Sequence, residues 1–449
     1  MFSWFGIGVE LNGILKKKNK IMLQFGQHIL EKIKGKGIFY CVRRACYEIF
    51  SLLIVMFSYP FCRVMNVRFV PVYVRGIGHL CIEPDCYIKE VILGLRPKYN
   101  SIILAPPNKV ANPHLLHYWK QHIRIITSPL LCVFLEPLAR SRLTRDDTFG
   151  YAFDYKSYAP KIQKKYFGRP PLLSLTEFDY KRGWACLQDL GMPEDAWFVC
   201  VHCREGGYLD NVNQTNSGLG IHSGKLRPWE DNYKANANQT NRNADINNYL
   251  LAMEAIVERG GWVIRMGDQT MKPIPQCDHI IDYAHLDIKT DWMDVFLSAS
   301  CKFFLGSSSG LFLLADIFGV PSGVVNLSAM ATVLPYGTND IGIPKLIWSL
   351  EEERYLSFKE VFSSPIGSFR SDSSYTKAMV WPEENSPEDI KDVAMEMLEK
   401  VEGNALYTDE DERLQKSFKS LLTPDHGASY GAISRVGRDF LRKHKDLLV

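Results

Sequence analysis

The sequence predicts an α/β fold: two Rossmann-like domains facing one cleft, preceded by a basic and apolar arm. Three observations predict it. Short runs rich in β-branched and aromatic residues alternate with segments of helical period from Arg68 onward, the pattern of parallel sheets joined by helical crossovers. The length of 449 residues allows two or three domains, each able to bury a core, and 46% hydrophobic with 23% charged residues describes a globular body. The charge is uneven. Met1 to Arg75 holds twelve Lys/Arg against three acids, a net of +9, so the +3 of the whole chain leaves the remainder at about −6.

Residues 1–67 form the arm. Its segment Glu48 to Met65, EIFSLLIVMFSYPFCRVM, is the most apolar in the chain. The uninterrupted apolar run from Ile49 to Tyr59 is too short to span a bilayer, and Arg43, Arg44, Arg63 and Arg68 flank it. An interfacial or re-entrant membrane helix is expected, with a helix buried against the first domain as the plainer alternative. The extreme N-terminus places its apolar part before its lysines, the reverse of a secretory signal. Eleven cysteines without CxxC or zinc-like spacing read as reduced thiols, which suits the cytoplasm and the inner face of the plasma membrane.

Residues 68–178 are the expected first domain. RFVPVYV (Arg68 to Val74) reads as a strand, RGIGH as a turn, and LCIEPDCYIKEVILGL as a helix with Pro84 near its start. SIILAPP and IRIIT read as strands around the helical HLLHYWKQH. From about Arg140 to Pro171 the pattern is irregular. Residues 179–386 are the expected second domain. DYKRGWACLQDLGM is a helix before the strand FVCVH. NNYLLAMEAIVERGG is a helix closed by Gly260 and Gly261, followed by the strand WVIRMGD, the short strand HIIDYA, the helix KTDWMDVFLSAS, the strand of KFFLGSSSG, the helix LFLLADIFG and the strand PSGVVN. Residues 209–241, polar and twice carrying NQTN, read as a mobile insertion, either a tolerated surface loop or a flap over the cleft. Residues 387–449 read as a helical tail.

The candidate chemistry lies at strand ends. After FVCVH come His202, Cys203, Arg204, Glu205 and two glycines. In open α/β sheets ligands bind at that edge, and an arginine there suits an anion because it bonds phosphate oxygens bidentately and keeps its proton. After KFFL come Gly306, Ser307, Ser308, Ser309 and Gly310 and then a helix, a start that offers backbone N–H groups and hydroxyls to a phosphate; a serine-rich cap without a ligand is the plainer alternative, and single caps of that kind are common. Gly306 and Gly310 would let backbone approach that phosphate. Asp268 ends a third strand. No Walker signature and no cluster with metal-ligand spacing appears, so metal-independent chemistry without a cofactor is expected.

The series VHCREGGY, RNADINNYLLAMEAIVERGGWVIRMGD, IDYA, DWMDVFLSASCKFFLGSSSG, GVP and VN resembles a bacterial family of glycosyltransferases encoded with surface-polysaccharide genes, over roughly Phe198 to Asn326. GIGHL, Gly76 to Leu80, resembles that family's first-domain motif. More distantly, the order of motifs is similar to the fucosyltransferases of GT-B fold. The resemblance implies a GT-B architecture and hexosyl or deoxyhexosyl transfer from a nucleotide-diphosphate sugar to a glycan or lipid-linked acceptor. It implies that Arg204 binds the diphosphate with His202 beside it, that Asp268 faces the nucleoside, that Asp294 shapes the nucleotide pocket, and that Ser307, Ser308, Ser309 and Gly310 contact phosphate. Glu205-Gly206-Gly207 departs from the fucosyltransferase pattern and leaves the donor sugar open.

A base for the acceptor hydroxyl could be Glu205, Asp210, His79 or Glu83. His79 could equally be a capping or packing residue, and Glu205 a salt bridge that orients Arg204. The alternative readings are a nucleotide-sugar 2-epimerase-like isomerase, disfavoured because Leu311 to Leu314 stand where that family has carboxylates, and a non-catalytic nucleotide-sugar-binding scaffold. The membrane surface is the expected partner of the arm. Nucleic acid is not, since the arm lacks interleaved aromatic and glycine motifs.

Overall fold

The computed structural model describes residues 38–147, 159–206, 239–329, 335, 337–427 and 429–449. The lysine-rich start of the arm, the base candidate Asp210 and most of the 209–241 insertion lie outside the described residues.

The chain enters through helix α1 (Ile38–Val64), 27 residues long. This differs from the sequence expectation: the helix runs well beyond the Ile49 to Tyr59 run, and by length and composition it could cross a membrane. Strand β1 (Val67–Phe69) follows, then α2 (Ile77–Ile92), β2 (Asn100–Leu104), α3 (Leu115–Trp119), β3 (Arg124–Ile126), α4 (Pro129–Arg140) and α5 (Ala159–Tyr166). The irregular 140–171 stretch thus contains a helix, and α4 was not foreseen. The three strands form a parallel sheet in the order β1-β2-β3. Strand β1 is shorter than RFVPVYV suggests, because Pro71 has no N–H for a ladder.

Pro84 is not near the start of α2 but its eighth residue. A proline there frees the carbonyl four residues back. That carbonyl, Leu80 O, accepts the indole N–H of the fully buried Trp119 at 3.0 Å. The helix survives because the orphaned acceptor has a partner.

Helix α6 (Glu177–Asp189), capped by Thr176, leads into the second domain. It contains β4 (Phe198–His202), α7 (Leu250–Glu258), β5 (Trp262–Arg265), β6 (Ile280–Ile281), α8 (Asp291–Ser300), β7 (Phe304–Ser307), α9 (Phe312–Asp316), β8 (Ser322–Leu327) and β9 (Ile341–Pro344). A small antiparallel sheet follows, β10 (Leu346–Ser349) between β11 (Arg354–Tyr355) and β12 (Val380–Glu383), with α10 (Phe358–Phe362) and α11 (Asp372–Lys377) between them in sequence. The tail supplies α12 (Pro387–Val401), α13 (Asp409–Ser420), β13 (Arg435–Val436) and α14 (Arg438–Lys443).

The main sheet has seven strands in the order β13-β9-β8-β7-β4-β5-β6, all parallel. Counted from β4, six of them follow the Rossmann order 3-2-1-4-5-6. Its strands are near-continuous buried runs, as a sheet covered on both faces requires. The α/β class with parallel sheets is therefore as expected. The tail is helical as expected, and it also builds onto the second domain. Its strand β13 extends the main sheet, α12 packs on α7 and β8, and Arg442 and Lys443 pair with Asp411 and Asp389 of the tail's own helices.

The two domains touch closely. A Cβ on Gly78, at the start of α2, would lie 2.8 Å from Gly310 Cα, and one on Gly310 would lie 2.7 Å from Gly78 N. Asn112 Nδ2 donates to Asp291 O across the same interface at 2.8 Å, and the rings of Tyr118 and Phe318 meet edge to face at 5.3 Å.

Candidate active site

The switch point of the main sheet lies between β4 and β7, whose following helices leave in opposite directions. His202 pairs with Gly306 there. The Arg204 loop and the serine loop therefore emerge side by side, as the sequence predicts. The Arg204 N–H donates to Ser307 Oγ at 2.8 Å, which locks one loop to the other.

The Arg204 guanidinium reaches sideways. Its Nη1 donates to Gln239 O at 2.8 Å and to Asn243 Oδ1 at 3.0 Å. Two further cations meet the same segment. Arg242 Nη1 donates to Gln239 Oε1 at 3.0 Å and its Nη2 to Ser308 O at 2.7 Å. Lys345, almost wholly buried, donates from Nζ to Asn243 O at 2.7 Å. Burial pulls the Lys345 pKa below its ordinary value, with nearby Glu384 opposing and Arg204 adding to the fall. Asp372 fixes the segment by accepting from Thr240 and Asn241 N–H groups, each at 3.0 Å. Its carboxyl is held below the usual range because those bonds outweigh its desolvation.

Three cations thus converge on residues 239–243 beside the serine loop. Arg242 and Lys345 were missed in the sequence. Residues 239–241 had been assigned to the mobile insertion, whereas they form a turn built into the site. The signal available was the basic residue directly after the second NQTN.

The three serines divide their work. Ser307 Oγ accepts from Arg204, and Ser309 Oγ accepts from Leu311 N at 3.3 Å. Ser308 Oγ is buried and has no hydrogen-bond partner among the described residues. A buried hydroxyl left unpaired in a native loop calls for an unplaced partner. Accepting those bonds leaves the Ser307 and Ser309 O–H groups able to donate, so all three hydroxyls keep a donor for phosphate, with Ser308 the one that has no described partner. The helix-dipole argument weakens, since α9 has only five residues. The glycines also have packing reasons: Gly310 makes room for the Gly78 backbone, and Gly306 for Phe304 and the His202 carbonyl.

His202 is buried and neutral. Its pKa falls to about 4, chiefly by desolvation, with Arg265 and Arg204 adding to the effect. Its Nδ1 lies 3.2 Å from Met266 O, so Nδ1 carries the proton and Nε2 keeps its lone pair. Among the described contacts Glu205 meets Arg265 and not Arg204. One oxygen meets the fully buried Arg265 at 3.3 Å and the other accepts Lys272 N at 2.8 Å. Arg265 is balanced on its other side by Asp282 at 2.9 Å. Glu205 is therefore occupied in compensating a buried charge. Asp268 folds back on its own turn and accepts from Thr270 N at 2.9 Å. Asp294 sits on the expected helix, but its carboxylate accepts from Tyr283 at 2.9 Å and from Lys289 at 2.9 and 3.0 Å. No described contact joins it to the serine loop.

From the first domain comes His79, next in sequence to the Gly78 that abuts Gly310. His79 Nδ1 lies 2.9 Å from Glu83 Oε1, one helical turn on, and Glu83 Oε2 accepts Tyr73 N at 2.9 Å. Both side chains are buried. The two base candidates are thus one unit, in which Glu83 orients the ring through Nδ1. An open pocket of about 710 Å³ adjoins the 239–243 segment, lined by Asn241, Asn243, Lys272, Lys345, Trp381 and Glu384 among others. The serine loop and His79 do not line it, so it lies beside the switch-point crevice. Among the described residues no cluster of His, Cys, Asp and Glu could hold a metal ion.

No protein-family model matches the chain, and no curated protein matches it in sequence. Among solved structures it is similar to the glycosyl transferase family 9 protein from Veillonella parvula DSM 2008, at 10% identity and a TM-score of 0.39, over 70% of this chain and 96% of that one. It is also similar to the E. coli ADP-heptose lps heptosyltransferase II, at 12% identity and a TM-score of 0.37, over 62% of this chain and 90% of that one. Likenesses this loose establish neither a fold nor an activity.

Proposed function

We propose that the protein is a glycosyltransferase that moves a sugar from a nucleotide-diphosphate donor to a glycan or lipid-linked acceptor in surface-polysaccharide or glycoconjugate biosynthesis. The convergence of Arg204, Arg242 and Lys345 beside the unpaired Ser308 hydroxyl, at the switch point of a Rossmann-ordered sheet, carries this reading. Three cations that meet one segment beside the main sheet suit a diphosphate, and they supply positive charge without a metal.

In the proposed reaction the acceptor oxygen bonds to sugar C1 as the bond from C1 to the diphosphate oxygen breaks. The electron pair of that bond leaves on the diphosphate, where Arg204 and Arg242 stabilise it. His79 Nε2 takes the acceptor hydroxyl proton, and Glu83 stabilises the imidazolium that forms. Neutral His202 accepts a donor hydrogen bond from the bound substrate.

The test is thermal shift with GDP-, UDP-, CMP- and ADP-sugars, on the wild type and on Arg204→Ala. Ligand at about a hundred times its Kd should add about 2.7 kcal/mol of stability. One nucleotide class should stabilise the wild type, and the variant should lose the shift while remaining folded. If no nucleotide sugar shifts the folded wild type, the transferase reading fails and a non-catalytic role takes its place.

A further inference from the structure

Helix α1 is half covered. Its inner side packs on α4 and on the first sheet, in a small core of Ile54, Cys62, Phe69, Ile102, Leu138 and Ala139. Its outer side is apolar and open. Ile38, Val42, Ile49, Leu53, Met56 and Phe57 are all exposed and recur at helical spacing, with Phe57 80% exposed. Helix α4 continues the same surface with Leu130 at 83% exposure and Phe134 at 52%. Scattered exposed apolar residues are ordinary, but a two-helix apolar face is not.

We propose that α1 and α4 together form a docking face that lies in the surface of an anionic lipid bilayer and enters from one side only. Charge selects the occupant. Arg43, Arg44, Arg63 and Arg68 lie on α1 and just after it, against a single acid in the same stretch, Glu48. An excess of positive charge flanking an apolar helix matches an anionic leaflet. A second copy of the same face would set arginines against arginines.

The packing selects the depth. At about 1.5 Å per residue α1 is about 40 Å long, enough to span. However, Glu48 pairs with Arg140 at 3.1 Å and Tyr47 bonds Glu136, so the middle of α1 is held to α4 by polar contacts. A spanning helix would bury those groups in hydrocarbon, whereas a helix lying flat keeps them on the protein side.

The test is flotation of the full chain with two kinds of vesicle, pure phosphatidylcholine and phosphatidylcholine mixed with phosphatidylglycerol. The variant is Leu130→Glu with Phe134→Glu. Both side chains are exposed, and neither belongs to the small core, so an unchanged Tm is expected. Wild type should float with the anionic vesicles, and the variant should bind them at least about tenfold more weakly. Tryptophan placed at Phe57 or at Leu130 should be quenched by shallow lipid spin labels to the same degree. If the variant floats like the wild type, α4 plays no part and the proposal is overturned. It is equally overturned if the wild type ignores both vesicles, whether light scattering then finds a dimer or a monomer. Deep quenching at position 57 alone would mean that α1 spans.

Discussion

Replacing Gly310 with alanine tests whether the two domains meet at the serine loop. The new methyl would lie 2.7 Å from Gly78 N, 2.9 Å from Gly78 Cα and 3.3 Å from Ile77 Cγ2. Two of those three atoms are backbone at the start of a 16-residue helix, so no rotamer change can relieve the overlap. The start of α2 must move by several tenths of an ångström. Overpacking of this kind costs about 1–3 kcal/mol, and about 2–4 °C in Tm per kcal/mol for a domain of this size. His79 rides on the displaced turn. A misplacement of about 1 Å can cost about a hundredfold in rate, so turnover should fall about ten- to a hundredfold, with donor affinity much less affected. Differential scanning fluorimetry and single-turnover transfer measure the two effects. Gly206→Ala is the control: it adjoins Arg204's loop, but its nearest neighbour is Asn243 Nδ2 at 3.5 Å, an ordinary contact. An unchanged Tm and turnover in Gly310→Ala would refute the close contact and, with it, a His79 poised against the serine loop.

Two further outcomes are expected. Glu83→Gln keeps an acceptor for Tyr73 N but removes the carboxylate beside His79; kcat should fall about 10²- to 10⁴-fold at constant donor KM, and a transferase unaffected by it would remove the dyad from the mechanism. Asp316, at the domain interface, has a pKa raised to about 8 by desolvation, with Asp340 and Asp85 adding to the rise and Lys89 opposing it. The folded protein therefore keeps a proton that the unfolded chain loses near 3.8, so stability falls as pH rises from about 4 to 8. The slope is at most about 1.4 kcal/mol per pH unit, and less to the extent that this partly exposed carboxyl is solvated. Urea melts across that window should flatten in Asp316→Asn, and an identical slope in wild type and variant would show that another group titrates.

The parts of the fold legible in the sequence were those with one dominant local signal. The strands of the main sheet are buried on both faces, so they read as continuous apolar runs, and their order of motifs placed Arg204 beside Ser307. Helix boundaries were less legible. Pro84 suggested a helix start because the rule against interior proline assumes that the freed carbonyl has no substitute donor; Trp119, 39 positions from Leu80, supplies one. The site was half legible for a similar reason. Arg204 announces itself by following a strand. Arg242 and Lys345 lie in a polar loop and just after β9, and their convergence on Gln239 and Asn243 is a long-range fact that no spacing encodes. Glu205 looked reactive by adjacency to Arg204, but its fate was decided by Arg265, a buried cation 60 positions away.

The first sheet links the two proposals made for this protein. Along a strand successive side chains point to opposite faces. Phe69 belongs to the small core under α1 and α4, while its neighbour Val70 belongs to the main core with α2. Ile102 and Ile103 divide in the same way. Three strands therefore carry the exposed apolar helices on one face and the helix of His79 and Glu83 on the other. The dyad therefore sits only two layers, the sheet and the α1–α4 pair, from the outward apolar face. Lipid at that face would bring an acceptor anchored in the bilayer to the same domain that carries the proposed base, and would leave the cation-bearing domain on the far side of the crevice to hold the donor. Loss of vesicle binding in Leu130→Glu with Phe134→Glu should then slow transfer to a lipid-linked acceptor and spare transfer to a soluble one. Equal slowing of both would place the effect in the fold of the first domain and not in its contact with lipid.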